Sequence, residues 1–143
     1  MTKTHKQKLA DSYTAYVAAK TGIRPGRKAK DESIPTHPVV AVPNLPEAYV
    51  LSKCRKWLLQ HRVFHNRHDC GSGHGHVICG SKASGDIHGI LPSGIHFEIE
   101  CKQGKGGRLS AGQQKRMVDV RATGGEYWVV HGTAELEHYM KDL

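Results

Sequence analysis

Asp86, Glu100 and Lys102 combine two carboxylates and an amine at spacings that suggest chemistry on a phosphodiester. Asp86 precedes a short run of alternating residues, and the other two lie in a second run beyond a Pro-Ser-Gly turn at residues 92–94. The alternation predicts a hairpin that brings Asp86 beside Glu100. Paired carboxylates bind hard divalent cations such as Mg²⁺ or Mn²⁺, which activate water and neutralise phosphate charge. A lysine on the same face can orient the attacking water.

The second of these strands is predicted to bury only one of its faces. From residue 95 to residue 102 apolar and polar side chains alternate without interruption. The apolar face should meet the core, and the polar face should meet water or a charged ligand. Glu98 shares the polar face outside the motif, so a salt bridge or an outer place around a cation is expected for it. A solvated strand face with a cross-strand ion pair is the simpler alternative for Glu100 and Lys102.

A helix is predicted to begin the folded part of the chain. Asn44 is a good cap, Pro46 suits the first turn, and Glu47 completes a capping-box pattern into a helix that ends near Gln60. Apolar residues continue from Glu47 at helical spacing, which would put Glu47 at the start of the buried stripe. Glu47 therefore has two interpretations, as a capping residue or as a site residue that binds a metal through water.

A second helix is predicted after a basic, glycine-rich turn at residues 103–108. Ser110 and Gln113 form a capping-box pattern, and two glycines after residue 123 mark the end of the helix. The capping box alone would account for Gln113. The alternative is that its amide also serves the site formed by the hairpin.

The remaining elements complete a mixed order of strands and helices. Strands are predicted at residues 62–66, 77–79 and 127–130, and Thr133 is expected to cap a last helix that ends near Lys141. The resulting order is helix, three or four strands, helix, strand and helix. This order predicts an α/β fold with a central mixed β-sheet flanked by helices.

Composition and charge favour a nucleic-acid partner over a membrane. The chain of 143 residues has 21 Lys and Arg against 13 Asp and Glu, a formal net charge of +8 that attracts polyanions. No apolar run is long enough to span a bilayer, and the first residues contain no secretory apolar region. We therefore expect a cytoplasmic protein whose four cysteines are reduced.

The chain is predicted to divide into an arm and a single domain. Residues 1–44 would form a basic N-terminal arm, partly flexible, and residues 45–143 the folded domain. The arm carries a basic run at residues 24–30 and ends in the proline-rich PTHPVVAVPNLP, which favours extended or disordered chain, although residues 7–20 fit one short helix. It is either a solvated tail or a segment that follows phosphates or reaches a partner subunit.

Four segments, in this order, resemble the VRR-NUC family of the PD-(D/E)XK nuclease superfamily. They are GDIHG from residue 85, FEIECK from residue 97, GGRLSAGQ from residue 106 and GGEYWVVHGTAEL from residue 124. The resemblance covers about residues 45–140 and leaves the arm unmatched. Ser84 and Gly85 precede Asp86 where the superfamily name implies a proline, a small departure because the aspartate side chain carries the function.

The resemblance implies a restriction-endonuclease-like core and a DNA endonuclease that requires Mg²⁺ or Mn²⁺. Its catalytic residues would be Asp86, Glu100, Lys102, Gln113 and Glu47. Asp86, Glu100 and the main-chain carbonyl of Cys101 would hold the metal, with Glu47 as a further ligand, while the Cys101 thiol points into the core. The resemblance is to small stand-alone members of the family, which are often encoded by phages. It further implies a homodimer that acts on branched DNA such as four-way junctions.

Basic side chains around the motif are predicted to contact DNA phosphates. They are Lys82, His88, Lys105, Arg108, Lys115 and Arg116. Phosphate contacts of this kind would make binding sensitive to salt. Each of the lysines and arginines, taken alone, is most often a solvated surface charge, and His88 could contact a metal-bound water instead of DNA.

The loop before Asp86 suggests a function of a different class. Cys70, His74, His76 and Cys79 offer nitrogen and sulfur ligands at short spacings that could bind zinc. The chain would then be a zinc-stabilised, non-catalytic nucleic-acid-binding module whose acids are structural. The spacing matches no paired knuckle, and the family that the chain resembles has a glycine-rich hairpin here without metal ligands. Metal analysis of protein purified without added zinc separates the two hypotheses.

Overall fold

The fold is described by a computed structural model over residues 30–68, 71–73, 76–78 and 83–143. The helix predicted at residues 7–20 lies outside the described residues, as do Lys82 and three of the four predicted zinc ligands. In the described part of the chain, no helix is long and apolar enough to cross a bilayer.

Eleven elements are seen in the described residues. The helices are α1 (Glu47–Gln60), α2 (Ala111–Ala122) and α3 (Thr133–Met140). The strands are β1 (Ile34–Pro35), β2 (His65–Arg67), β3 (Gly71–Gly73), β4 (His76–Ile78), β5 (Ile87–Ile90), β6 (His96–Cys101), β7 (Arg108–Leu109) and β8 (Glu126–Val130).

The main sheet has four strands in the order β2, β5, β6, β8. The pairs β2–β5 and β5–β6 are antiparallel, whereas β8 runs parallel to β6. The parallel pair follows from the chain order, because α2 carries the chain from the end of β6 back to the start of β8. The prediction of a mixed sheet flanked by helices is confirmed. The predicted hairpin is also confirmed, with its turn at Gly94, which has a φ of 86°.

One face of the sheet packs against α1 and α3. The stripe of α1 that meets the sheet consists of Val50, Cys54 and Leu58, which are spaced four residues apart and fully buried. They join the apolar residues of β5, β6 and β8 in one core cluster. The side chain of Cys101 belongs to this cluster, which confirms the prediction that its thiol points into the core.

The other face of the sheet is covered by α2. Met117 and Val120 of this helix pack with Tyr127 of β8 and with Ile34 and Leu109 of the small β1–β7 sheet. The helix therefore lies over the polar face of β6, where Glu98, Glu100 and Lys102 are only 1%, 3% and 6% exposed. The helix covers these three side chains, so this part of the face does not meet water. It meets a charged group instead, because Arg116 of α2 lies 2.5 Å from Glu98.

The start of α1 differs from the prediction. Pro46 is the N-cap residue, no side chain caps the helix, and Glu47 is the first helical residue. Asn44 precedes the N-cap by two residues and does not form the predicted capping box, since Pro46, with a ψ of 149°, takes the N-cap position. Glu47 is exposed and does not begin the buried stripe. The capping interpretation of Glu47 is therefore wrong.

Smaller differences concern other ends of elements. The strand predicted at residues 62–66 begins only at His65, because Arg62 has a positive φ of 55° in the turn after α1. The last helix is preceded by Gly132 as its N-cap, and Thr133 is its first residue rather than its cap. The capping box of Ser110 and Gln113 is confirmed.

Residues 33–36 belong to the fold, although the sequence places them in the arm. β1 pairs with β7, and Ile34 is fully buried. The Thr36 hydroxyl donates to the Gly107 carbonyl over 2.9 Å and lies 2.9 Å from His131 Nε2. His131 Nδ1 in turn lies 2.8 Å from Glu135 Oε1. All three side chains are buried, so this polar chain fastens the segment to α3.

Replacing Thr36 with Val is expected to lower the free energy of unfolding by about 1–3 kcal/mol, because it leaves buried hydrogen-bonding groups of His131 and Gly107 with fewer partners. Urea unfolding measures the change. The matched control is Thr123→Val at the exposed end of α2, for which we expect at most about 0.5 kcal/mol. Equal losses in the two variants would contradict the role of the buried chain.

Candidate metal and catalytic site

The hairpin register brings the two predicted metal ligands together. Ile87 lies opposite Ile99, so the preceding residue, Asp86, is placed beside Glu100. Asp86 Oδ2 accepts a hydrogen bond of 2.8 Å from the main-chain N–H of Cys101. The predicted meeting of Asp86 and Glu100 is thus observed, and the aspartate side chain is anchored on the neighbouring strand.

Lys102 and Gln113 converge on the same carboxylate. Glu100 Oε1 lies 3.0 Å from Lys102 Nζ and accepts a hydrogen bond of 2.6 Å from Gln113 Nε2. Lys102 Nζ also donates to Gln113 Oε1 over 3.3 Å. Asp86, Glu100, Lys102 and Gln113 therefore form one group, called the acid–lysine site below.

Gln113 caps α2 and also contacts the hairpin. Its Oε1 accepts the main-chain N–H of Ser110 over 2.9 Å, and its own N–H donates to Ser110 Oγ over 3.2 Å. The capping box turns the side chain back toward the start of α2, which is the end of the helix nearest the acids. Capping therefore does not exclude a contact with the hairpin, because the amide oxygen of Gln113 caps the helix while its amide nitrogen binds Glu100.

The electrostatic balance of the site favours a proton or a cation on Glu100. Burial raises the pKa of Glu100 to about 7, repulsion from Asp86 adds to the increase, and the ammonium of Lys102 opposes it. Glu47 acts in the same direction as Asp86. Two acids outweigh one amine, so the site carries more negative charge than it can balance by itself.

The residues present fit a hard divalent cation with few protein ligands. One oxygen of each acid is occupied as described above, and no group in the described part of the chain donates to the other oxygen of Asp86 or Glu100. No three His, Cys, Asp or Glu side chains of the described residues gather into a metal-binding cluster. Two carboxylates suit Mg²⁺, which usually keeps several of its waters.

Without a cation, Glu100 should make the protein less stable as the pH rises. Its folded pKa lies above its ordinary value of 4.5, so the folded state holds a proton that the unfolded state has lost. The free energy of unfolding should therefore fall by up to about 1.4 kcal/mol per pH unit between pH 4.5 and about 7. Unfolding in urea and chelator at several pH values, compared with Glu100→Gln, isolates this contribution. Parallel curves for the two proteins would contradict it.

Glu47 and Cys101 both lie in the neighbourhood of Glu100. Glu47 is exposed at the start of α1, close enough to influence the charge of Glu100. Cys101 follows Glu100 in β6, with its side chain in the core beside Cys54. Its main chain is therefore the part that faces the acids.

Glu98 is the buried acid whose partners the sequence did not reveal. It accepts hydrogen bonds from Arg116 and from the main-chain N–H of Gly85, and it lies 3.1 Å from His96 Nε2. Desolvation acts to raise the pKa of Glu98, but these donors outweigh it and the pKa is lowered. Of the two roles expected for Glu98, the structure shows the salt bridge. The sequence did not predict the pairing of Arg116 with Glu98, because a basic residue on a helix has no pattern that identifies its partner.

The predicted DNA contacts fall into different surroundings. Lys105 is exposed, and Lys115 is exposed in an ion pair with Asp119 at 2.5 Å. Arg108 binds Ser33 through its Nε over 2.8 Å, which fixes the segment that precedes β1. Arg116 is bound to Glu98. His88 is half-buried on the polar side of the sheet, with its ring 6.3 Å from that of His68.

An open groove runs along the first turns of α2. Its lining includes Ala83, Gln113 and Lys115. Gln113 lines the groove and also binds Glu100, although neither Asp86 nor Glu100 lines it. Lys115 and Asp119 place opposite charges on its wall.

Comparison with known proteins adds no assignment. Family models, curated proteins and solved structures give no match to the chain. Any assignment of function therefore rests on the residues of the chain and on their geometry.

Proposed function

We propose that the chain is a metal-dependent DNA endonuclease of the VRR-NUC type, with a restriction-endonuclease-like core. One observation carries the proposal: Asp86 and Glu100 meet at the end of the hairpin, and both Lys102 and Gln113 bind Glu100. Paired acids with an adjacent amine are the groups that phosphodiester hydrolysis requires. The resemblance of the four sequence segments to the family supports the same conclusion.

Mg²⁺ or Mn²⁺ is the proposed cofactor. Asp86, Glu100 and the main-chain carbonyl of Cys101 would hold it, and Glu47 would be a further ligand through water. When bound, the cation supplies activation of water and charge relief at the scissile phosphate. The excess negative charge at Glu100 supports this cofactor, because a cation relieves the repulsion between the two acids.

The chain's own residues orient the reactants. Lys102 holds its ammonium 3.0 Å from Glu100, where it can orient a water and offset negative charge that develops on the phosphate. Gln113 binds both partners and limits their movement. Burial under α2 lowers the local dielectric constant, which strengthens each of these electrostatic interactions.

The proposed substrate is DNA, with a preference for branched forms. The net charge of +8 and the exposed side chains of Lys105 and Lys115 support a polyanionic partner. One small site cuts one strand, so paired incisions at a four-way junction would require a two-fold homodimer. A cytoplasmic location is part of the same proposal.

The test uses radiolabelled or fluorescent four-way junction, flap, linear duplex and plasmid DNA. We expect cleavage with Mg²⁺ or Mn²⁺, no cleavage in chelator and no cleavage by Asp86→Asn. Equal activity with and without chelator would contradict the proposal. A protein that binds these DNAs and cuts none of them with either cation would instead be a binding module.

The dimer and the branched substrate are tested separately. Sedimentation of the full chain should give a dimer, and junction DNA should be cut faster than linear duplex of the same sequence. A monomer, or equal rates on the two DNAs, would remove this part of the proposal and leave the endonuclease intact.

A further inference from the structure

We propose that Glu98 and Arg116 are a positioning pair that holds the backbone of Asp86 against Glu100. The inference rests on the proposed function, because it assigns the pair to the cation site of that function. Neither residue needs to touch the cation or the DNA. Their role is to fix where Asp86 lies.

Glu98 is a costly residue to bury, and its donors explain why it is tolerated. It is 1% exposed, and its oxygens accept from Arg116 Nε over 3.2 and 3.1 Å and from Arg116 NH2 over 2.5 Å. A buried carboxylate is stable only when such partners offset its lost hydration. The charge of Glu98 is therefore neutralised within the protein. In this respect Glu98 differs from Asp86 and Glu100, whose negative charge exceeds that of their positive neighbour.

A further donor to Glu98 belongs to the residue directly before Asp86. The main-chain N–H of Gly85 donates to Glu98 Oε2 over 3.1 Å. A Cβ at Gly85 would lie 2.9 Å from the Ile99 carbonyl oxygen and 3.0 Å from Glu98 Cβ, so only glycine allows this close approach. The peptide between Ser84 and Gly85, one residue before Asp86, is thus held by Glu98, while the Asp86 side chain is held by the main-chain N–H of Cys101.

A single helix supports both acids of the hairpin. Gln113 and Arg116 are three residues apart on α2 and therefore lie on one face of it. Gln113 binds Glu100, and Arg116 binds Glu98, which in turn holds the residue before Asp86. The geometry points to α2 as the element that sets the separation of the two metal ligands.

The test replaces the ion pair by apolar residues in the double variant Glu98→Leu/Arg116→Met. Buried ion pairs can often be replaced by apolar side chains with little loss of stability, so the variant should fold. Mn²⁺ affinity in the absence of DNA, measured by calorimetry on the full chain, should fall by about 10- to 100-fold, as for other groups that orient metal ligands. A purely structural pair would leave that affinity unchanged.

The matched control is Asp119→Asn, which removes one partner of an exposed ion pair on the same helix. Its Mn²⁺ affinity should stay within about twofold of wild type, as expected for surface pairs. If the double variant does not fold, Arg116→Lys keeps the charge and loses the forked contact, and a weaker loss of affinity is expected.

Two results would overturn the inference in distinguishable ways. A folded double variant that binds Mn²⁺ and cleaves DNA like wild type would remove the positioning role and leave the endonuclease standing. A wild-type protein that neither binds Mn²⁺ nor cleaves DNA would remove both proposals.

Discussion

Glu100→Gln is expected to lower DNA cleavage by about a thousandfold and, at pH 8, to raise the thermal stability of the cation-free protein. A metal-assisted step gains several kcal/mol from the cation, and a loss of about 4 kcal/mol corresponds to a thousandfold in rate. The gain in stability follows from the raised pKa of Glu100, because the charged form is the unfavourable one in the folded protein. Glutamine resembles the neutral form and can still accept from Lys102 and Gln113.

Cleavage of junction DNA and thermal unfolding in chelator, both at pH 8, measure the two effects. Mn²⁺ should raise the Tm of wild type and leave that of Glu100→Gln unchanged, since only wild type offers two carboxylates. Glu137→Gln, an exposed change on α3, is the control and should alter neither property. A Glu100→Gln variant that cuts DNA normally would exclude Glu100 as a metal ligand.

Lys102→Met is expected to lower kcat by about 10²- to 10³-fold while Mn²⁺ still binds at pH 8. The estimate is that for removal of one preorganised group that stabilises developing charge. The ammonium of Lys102 lowers the pKa of Glu100, so its removal leaves the two acids with still more negative charge to be relieved by a cation. Cation binding and cleavage should therefore separate in this variant.

Single-turnover cleavage and calorimetric titration with Mn²⁺ distinguish these effects. Lys56→Met, an exposed change on α1, controls for the loss of one positive charge and should retain wild-type cleavage. Loss of Mn²⁺ binding in Lys102→Met would show that the lysine organises the site rather than the reaction. Unchanged cleavage would remove Lys102 from the catalytic group.

Burial of Glu100 has opposite effects on the cation-free and the cation-bound protein. Asp86 and Glu100 repel each other, and burial under α2 strengthens that repulsion, so the cation-free protein carries a cost at this site. The same burial strengthens the attraction of the acids for a cation. A surface site with the same residues would be more stable when empty and weaker in binding.

The sequence by itself determined the local geometry of the site. A period of two around a three-residue turn fixes which residues of a hairpin face each other, and it therefore placed Asp86 beside Glu100. The capping box placed Gln113 at the start of α2 because Ser110 is only three residues away. These features depend on neighbours in the chain, which spacing alone can reveal.

Only the tertiary structure decided what surrounds those residues. Helix α2 folds over the polar face of β6 and supplies Arg116 to Glu98, 18 positions earlier in the chain. Thr36 reaches His131 across 95 positions and brings residues 33–36 into the fold. Such pairs are determined by the packing of whole elements and by the need to satisfy buried polar groups. Neither can be deduced from the pattern of residues along a short stretch of the chain.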